Sequence, residues 1–147
     1  MDHDGPALAD RALIEDLYAA FGWTLDTGDV DGFAALFTRD AVIEDAYAGR
    51  FEGPEAARRF IVAMRNRPDF PGRQHWSQHA VFSAEGDGWR VRSFGIATQR
   101  HPEGAVFLPW VGWTDDLLVA HAGRWLFGER RLLRWEGDVL SAFPGRS

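Results

Sequence analysis

The chain has 147 residues, of which 46% are apolar and 26% charged, with a net charge of −6; one soluble domain over residues 1–147, long enough to bury a core, is expected. There is no Cys, and all 16 basic residues are Arg, which excludes disulfides, thiol nucleophiles, cysteinyl metal sites, Schiff-base chemistry and a P-loop lysine. No basic stripe points to nucleic acid and no apolar run approaches a membrane span; the acidic start Met1-Asp2-His3-Asp4 lacks a signal region, so the cytoplasm is the expected compartment.

In residues 7–26, apolar side chains recur at Leu13, Ile14, Leu17, Tyr18, Phe21 and Leu25, the spacing of a helix. Gly28 suits its end. Asp29 can cap a short second helix with Val30, Phe33, Ala34 and Phe37 on one face. Residues 41–47 read as a short strand. Gly53-Pro54-Glu55 opens a third helix, with Pro at its first position and Ala57, Phe60, Ile61 and Met64 as its buried stripe. The rest reads as strands: 74–85, a turn at Gly86-Asp87, 89–99, a loop over 100–105, then 106–119 with Pro109 marking an edge or a bulge. A turn at Ala122-Gly123 leads to the last strand, 124–135. Helices grouped ahead of a mostly antiparallel sheet define an α+β class. A curved sheet over helices leaves a concave face for a ligand, and seven Trp and eleven Phe suit an apolar one.

Three groups of residues bear on chemistry. From Leu17 to Leu25 the first helix carries no charge, which predicts burial on every side. Asp26 ends that stretch, where a carboxylate opposes the helix dipole and a cationic partner would offset the cost; an ordinary turn residue is the alternative. His75, Ser77 and His79 share one face of an extended strand, either a cavity wall with a general base or a polar outer surface. Of the adjacent Arg130 and Arg131, one must point inward, to hold an anion or developing charge, unless the pair serves surface ion pairs with Glu129 or Asp115. A metal site from His75, His79, His101 or His121 has no supporting ligand spacing, and neither a phosphate loop nor a serine elbow is present.

Four stretches carry a resemblance to a known family: Ile14-Glu15-Asp16-Leu17-Tyr18 with Leu25-Asp26-Thr27-Gly28-Asp29; Phe33 to Ala41; Phe51-Glu52-Gly53-Pro54-Glu55-Ala56; and Gln74-His75-Trp76-Ser77-Gln78-His79 with the turn after it. Gly112-Trp113-Thr114-Asp115 and Gly123-Arg124-Trp125 also fit. The chain resembles the SnoaL-like proteins of the nuclear transport factor 2 superfamily, nearest the branch with lindane dehydrochlorinase, bile-acid dehydratase and scytalone dehydratase. The resemblance implies an α+β cone, a curved mixed or antiparallel sheet around three helices and a deep apolar pocket. It implies a His–Asp dyad of His75 and Asp26, with Arg130 as a third catalytic residue. Tyr18, Phe21, His79 and Trp113 are the implied substrate contacts. Two positions depart from the pattern: Phe21 stands where several relatives carry a polar group, and His79 where Asn is frequent.

The expected function is a lyase or isomerase needing neither cofactor nor metal: elimination, isomerisation or cyclisation of a small hydrophobic cyclic molecule. The alternative is a non-catalytic ligand-binding or oxygenase small-subunit-like module. A homodimer is the expected assembly, with a trimer as the variant.

Overall fold

A computed structural model describes residues 5–136. Three helices precede most of the sheet: α1 Leu8–Thr27, α2 Val30–Ala34 and α3 Ala56–Arg65. Six strands follow the order β2-β1-β6-β5-β4-β3, with β1 Phe37–Asp45, β2 Gly49–Phe51, β3 Arg73–Glu85, β4 Gly88–Arg100, β5 Val106–His121 and β6 Arg124–Arg134. Every neighbouring pair is antiparallel except β1 and β6, which run parallel. The sheet is curved and unclosed, with β2 and β3 at its edges, so the α+β class expected from the sequence is what the chain forms.

The helix boundaries follow local chemistry. Gly28 ends α1 in the left-handed conformation, at φ 72°, and its N–H caps the Leu25 carbonyl. The Asp29 side chain accepts from the Gly32 N–H and starts α2. Helix α3 begins later than its Pro suggests: Pro54-Glu55 forms a turn, with Glu55 in the left-handed conformation at φ 60° just ahead of the helix and no side-chain cap on it. The uncharged run of α1 is not buried on every side. Leu17, Phe21 and Leu25 are buried, whereas Trp23 is 75% exposed; small and aromatic residues on the solvent side imitate an interior helix.

The core sits between these helices and the concave face. Leu17, Phe21 and Leu25 from α1, Phe33 from α2 and Phe60 and Ile61 from α3 meet Ile43, Val91, Leu118 and Phe127 from the strands. Each such side chain contributes roughly 1.5–3 kcal/mol on full burial. A separate small cluster, Ala97, Trp110 and Leu132, lies along the same face. Among the described residues no helix is long and apolar enough to cross a membrane.

Candidate active site

Asp26 lies in the last turn of α1 and His75 near the start of β3. Strand β3 runs close beside the helix at Gly22, where an added Cβ would stand 3.5 Å from the His75 carbonyl. This approach brings the carboxylate onto the histidine at two points. Oδ1 lies 2.6 Å from Nδ1 of the ring, and Oδ2 accepts the His75 backbone N–H at 2.8 Å. The side chains are 12% and 16% exposed, so the contact is sheltered without being sealed. A neutral ring held this way carries its proton on Nδ1 and leaves Nε2 as a proton acceptor.

Two cavities meet at His75. A groove of about 890 Å³ runs between α1 and β3 and takes in Tyr18, Phe21, Asp26, Ser77 and His79. A chamber of about 170 Å³ lies on the α3 side, walled by Met64, Ala97, Trp110 and Leu132, with Tyr47 and Arg73 among its polar groups.

His79 does not share the face of His75. Pairing is regular from Arg73 to Gln78, then shifts before Val81, and His79 itself sits at φ 58°. This bulge turns its ring edge-on to Phe94, with centroids 5.6 Å apart. Phe94 lies opposite Gln78, on the outward side of the strand, and is 54% exposed. Beyond the bulge the alternation is inverted, so Phe82, opposite Val91, now points inward.

Trp113 also departs from expectation. It pairs with Phe94 on β4 and Leu133 on β6, which places it on the outward face. Its neighbour Thr114 faces inward with Ser93, the two hydroxyls 2.7 Å apart. Trp113 is buried all the same, and it lines neither cavity.

Arg130 points inward, as one of the two arginines must, but its partner is Asp116. Nη1 donates to Asp116 Oδ2 at 2.6 Å, with Arg130 1% and Asp116 0% exposed. The same oxygen accepts the Tyr18 hydroxyl at 2.5 Å and the Thr114 hydroxyl at 3.1 Å. The guanidinium lies 3.9 Å from the Phe21 ring centroid. Burial raises the Asp116 carboxyl above the usual carboxylate range. Burial, followed by the neighbouring carboxylate, holds the Tyr18 phenol well above its usual range. Arg130 lines neither cavity, so the group expected to meet a leaving group is engaged in a buried ion pair. Arg131, on the other face, donates to Asp115 at 3.0 Å. The signal was in the sequence: Asp115-Asp116 and Arg130-Arg131 on antiparallel neighbours form one pair per face once the register 115↔131 and 116↔130 is set.

The description of a SnoaL-like domain matches residues 6–131. The chain belongs to the SnoaL-like family. The solved structures of similar fold agree. Aln2 from a Streptomyces species is 25% identical with a TM-score of 0.78, over 88% of this chain and 93% of that one. A candidate scytalone dehydratase from Novosphingobium aromaticivorans is 23% identical with a TM-score of 0.74, over 88% and 86%. A nuclear transport factor 2-like protein with a cystatin-like fold, also from Novosphingobium aromaticivorans, is 20% identical with a TM-score of 0.78, over 92% and 88%. The last two, at their level of identity, establish the fold of this SnoaL-like chain alone. No curated protein matches the chain closely enough to establish a relationship.

Proposed function

We propose that this SnoaL-like protein is a cofactor-independent lyase or isomerase that abstracts a proton from carbon in a small hydrophobic cyclic substrate. The observation that carries the reading is the Asp26–His75 contact at 2.6 Å, reinforced by the backbone bond at 2.8 Å. Nε2 takes the proton from a carbon next to an electron-withdrawing group. The Asp26 carboxylate steadies the imidazolium that forms. In an elimination, the released C–H electron pair forms the double bond as the bond to the leaving group breaks, and the imidazolium returns its proton to that group. In an isomerisation the proton returns to a different carbon. The likeness to a candidate scytalone dehydratase supports the elimination.

Ligand binding without turnover is the second reading. It draws on Arg130, whose guanidinium is held by Asp116 at 2.6 Å away from both cavities. Incubation with cyclic ketones and β-hydroxyketones in D2O separates the two. Proton abstraction predicts solvent deuterium at the carbon next to the carbonyl with the wild type and none above background with His75→Ala. Equal exchange in both would contradict the enzyme reading.

A homodimer is proposed through the outward sheet face, where Trp76 is 48%, Phe94 54% and Val111 52% exposed. Light scattering at working concentration should return twice the chain mass; a monomer contradicts it.

A further inference from the structure

We infer that the smaller chamber, not the larger groove, seats the reacting part of the substrate, and that it selects an uncharged single ring bearing a carbonyl or hydroxyl group. The inference rests on the dyad reading for the identity of the base, and extends it to what that base meets.

The direction of the imidazole decides between the cavities. Its two nitrogens point away from one another, and Nδ1 is held by Asp26 Oδ1. Nε2 therefore faces away from that carboxylate. Asp26 borders the groove and is absent from the chamber wall. His75 touches both, so the ring edge opposite Asp26 is the one offered to the chamber.

The size follows from the volume. An apolar cavity of about 150 Å³ accommodates benzene, and this chamber measures about 170 Å³. Its floor is apolar: Met64, Ala97, Trp110 and Leu132 are all buried. Trp110 is fixed by its indole N–H, which donates to the Leu133 carbonyl at 3.2 Å. Close packing at Gly95, where a Cβ would collide with the Trp110 ring, keeps that wall from retreating. A fused second ring exceeds this volume and would have to project out of the chamber, away from its apolar floor.

The charge follows from the rim. Arg67 and Arg73 both reach Asp69, with contacts of 3.0 Å each. Hydrogen bonding from Arg67 holds the Asp69 carboxyl below the usual carboxylate range, so it stays ionised. Arg73 also donates to Gln99 at 2.9 Å. Asp45 supplies a second carboxylate, bonded to the N–H groups of Tyr47 and Ala48. Two guanidinium groups are thus balanced by two carboxylates, so the rim offers no surplus charge to attract a charged substituent. Oxygen substituents of a neutral ring can still accept from the guanidinium groups.

The chain contains two methionines, Met1 and Met64, and Met64 is in the chamber wall. Labelling with [¹³C-methyl]methionine therefore gives one signal that reports on the chamber, assigned by its loss in Met64→Leu. Titration with phenol and with cyclohex-2-enone should shift that signal saturably, while benzoate and 2-naphthol at equal concentration leave it in place. Ala97→Leu, which fills the chamber, should abolish the phenol shift. The inference is overturned if 2-naphthol or benzoate shifts the signal as strongly as phenol. It is equally overturned if both neutral single rings leave it unmoved up to their solubility limits. These readouts need no turnover. Binding here together with unchanged deuterium exchange in His75→Ala would remove the dyad reading and leave the chamber standing as a binding site for a neutral single ring.

Discussion

Asp26 grips His75 through both of its oxygens, one on the ring at 2.6 Å and one on the backbone N–H at 2.8 Å. The second bond ties the carboxylate to the strand rather than to a side chain that can rotate. The ring is therefore oriented by a group whose own position is fixed, which is the condition for a base to meet its proton without reorganisation. Helix α1 and strand β3 are separate in sequence, so this contact also joins the first element to the edge of the sheet.

Asp26→Asn keeps the shape and breaks the symmetry of that grip. The amide has one acceptor, so it can satisfy the ring or the backbone donor but not both. Turnover should fall by up to about 10⁴-fold, the scale seen when such a carboxylate no longer holds the imidazole in its working tautomer. The ¹⁵N shifts of the His75 ring should show the proton moved from Nδ1 to Nε2. An unchanged tautomer with unchanged turnover would contradict the role given to Asp26.

Asp26→Ala should cost stability as well, because the His75 N–H loses its partner in a part-buried site. The expected loss is about 1–3 kcal/mol, measured by chemical denaturation.

The Asp116–Arg130 pair predicts a non-additive cycle. Asp116→Ala leaves a guanidinium buried without its carboxylate and should destabilise by about 3–5 kcal/mol. Asp116→Leu with Arg130→Met together should cost much less than the sum of the single changes. Additivity in denaturant melts would contradict the pairing.

The same carboxyl gives stability a pH dependence with a definite sign. Burial raises Asp116 above the ordinary carboxylate range in the folded chain. The folded state then holds a proton the unfolded state has lost, and its contribution to stability falls as pH rises through that window. Replacement of Asp116 should remove this component from melts run upward from about pH 4, the ordinary range of an unfolded aspartate. A component that survives the replacement belongs to another group.

Gly95→Ala should push Trp110 out of the chamber wall, since the new Cβ collides with the indole ring. Overpacking of this kind costs about 1–3 kcal/mol. Loss of the phenol-induced shift at Met64, with the His75–Asp26 contact intact, is the expected outcome. Full retention of the shift would mean that Trp110 does not define the chamber.

Elements with strong local signals were legible in the sequence. The helical spacing of Leu17, Phe21 and Leu25, the Gly28 stop and the Asp29 cap are local, and both helices start where they predict, though α2 ends at Ala34 and leaves Phe37 to β1. Strand β2 spans only Gly49–Phe51, too short for any periodicity, and depends on pairing with β1. Strand β1 begins at Phe37 rather than Ala41, because β6 pairs with Phe37 across a register shift. Pro109 does mark a bulge, where Ala97 meets Trp110 and Gln99 meets Phe107, on a stretch of β5 that pairs with β4 alone, since the ladder to β6 starts at Gly112. The meeting of Asp26 with His75 came from the family resemblance; no local rule joins a helix end to a strand so far along the chain. The misplacements of His79 and Trp113 have different causes. Alternation reads faces correctly only while the register is unbroken, and β3 is broken at His79. Along Gly112 to Asp116 both faces are buried, so exposure gave no cue to which side Trp113 takes.

The most direct test of the central claim compares His75→Ala with His79→Ala in the deuterium-exchange assay. Both histidines sit on β3 beside the same groove, but His75 alone of the two is bonded to Asp26. His75→Ala should lose about 10²–10⁴-fold in exchange rate, and His79→Ala should stay close to the wild type. The reverse pattern, exchange abolished in His79→Ala and kept in His75→Ala, would contradict the assignment of His75 as the base.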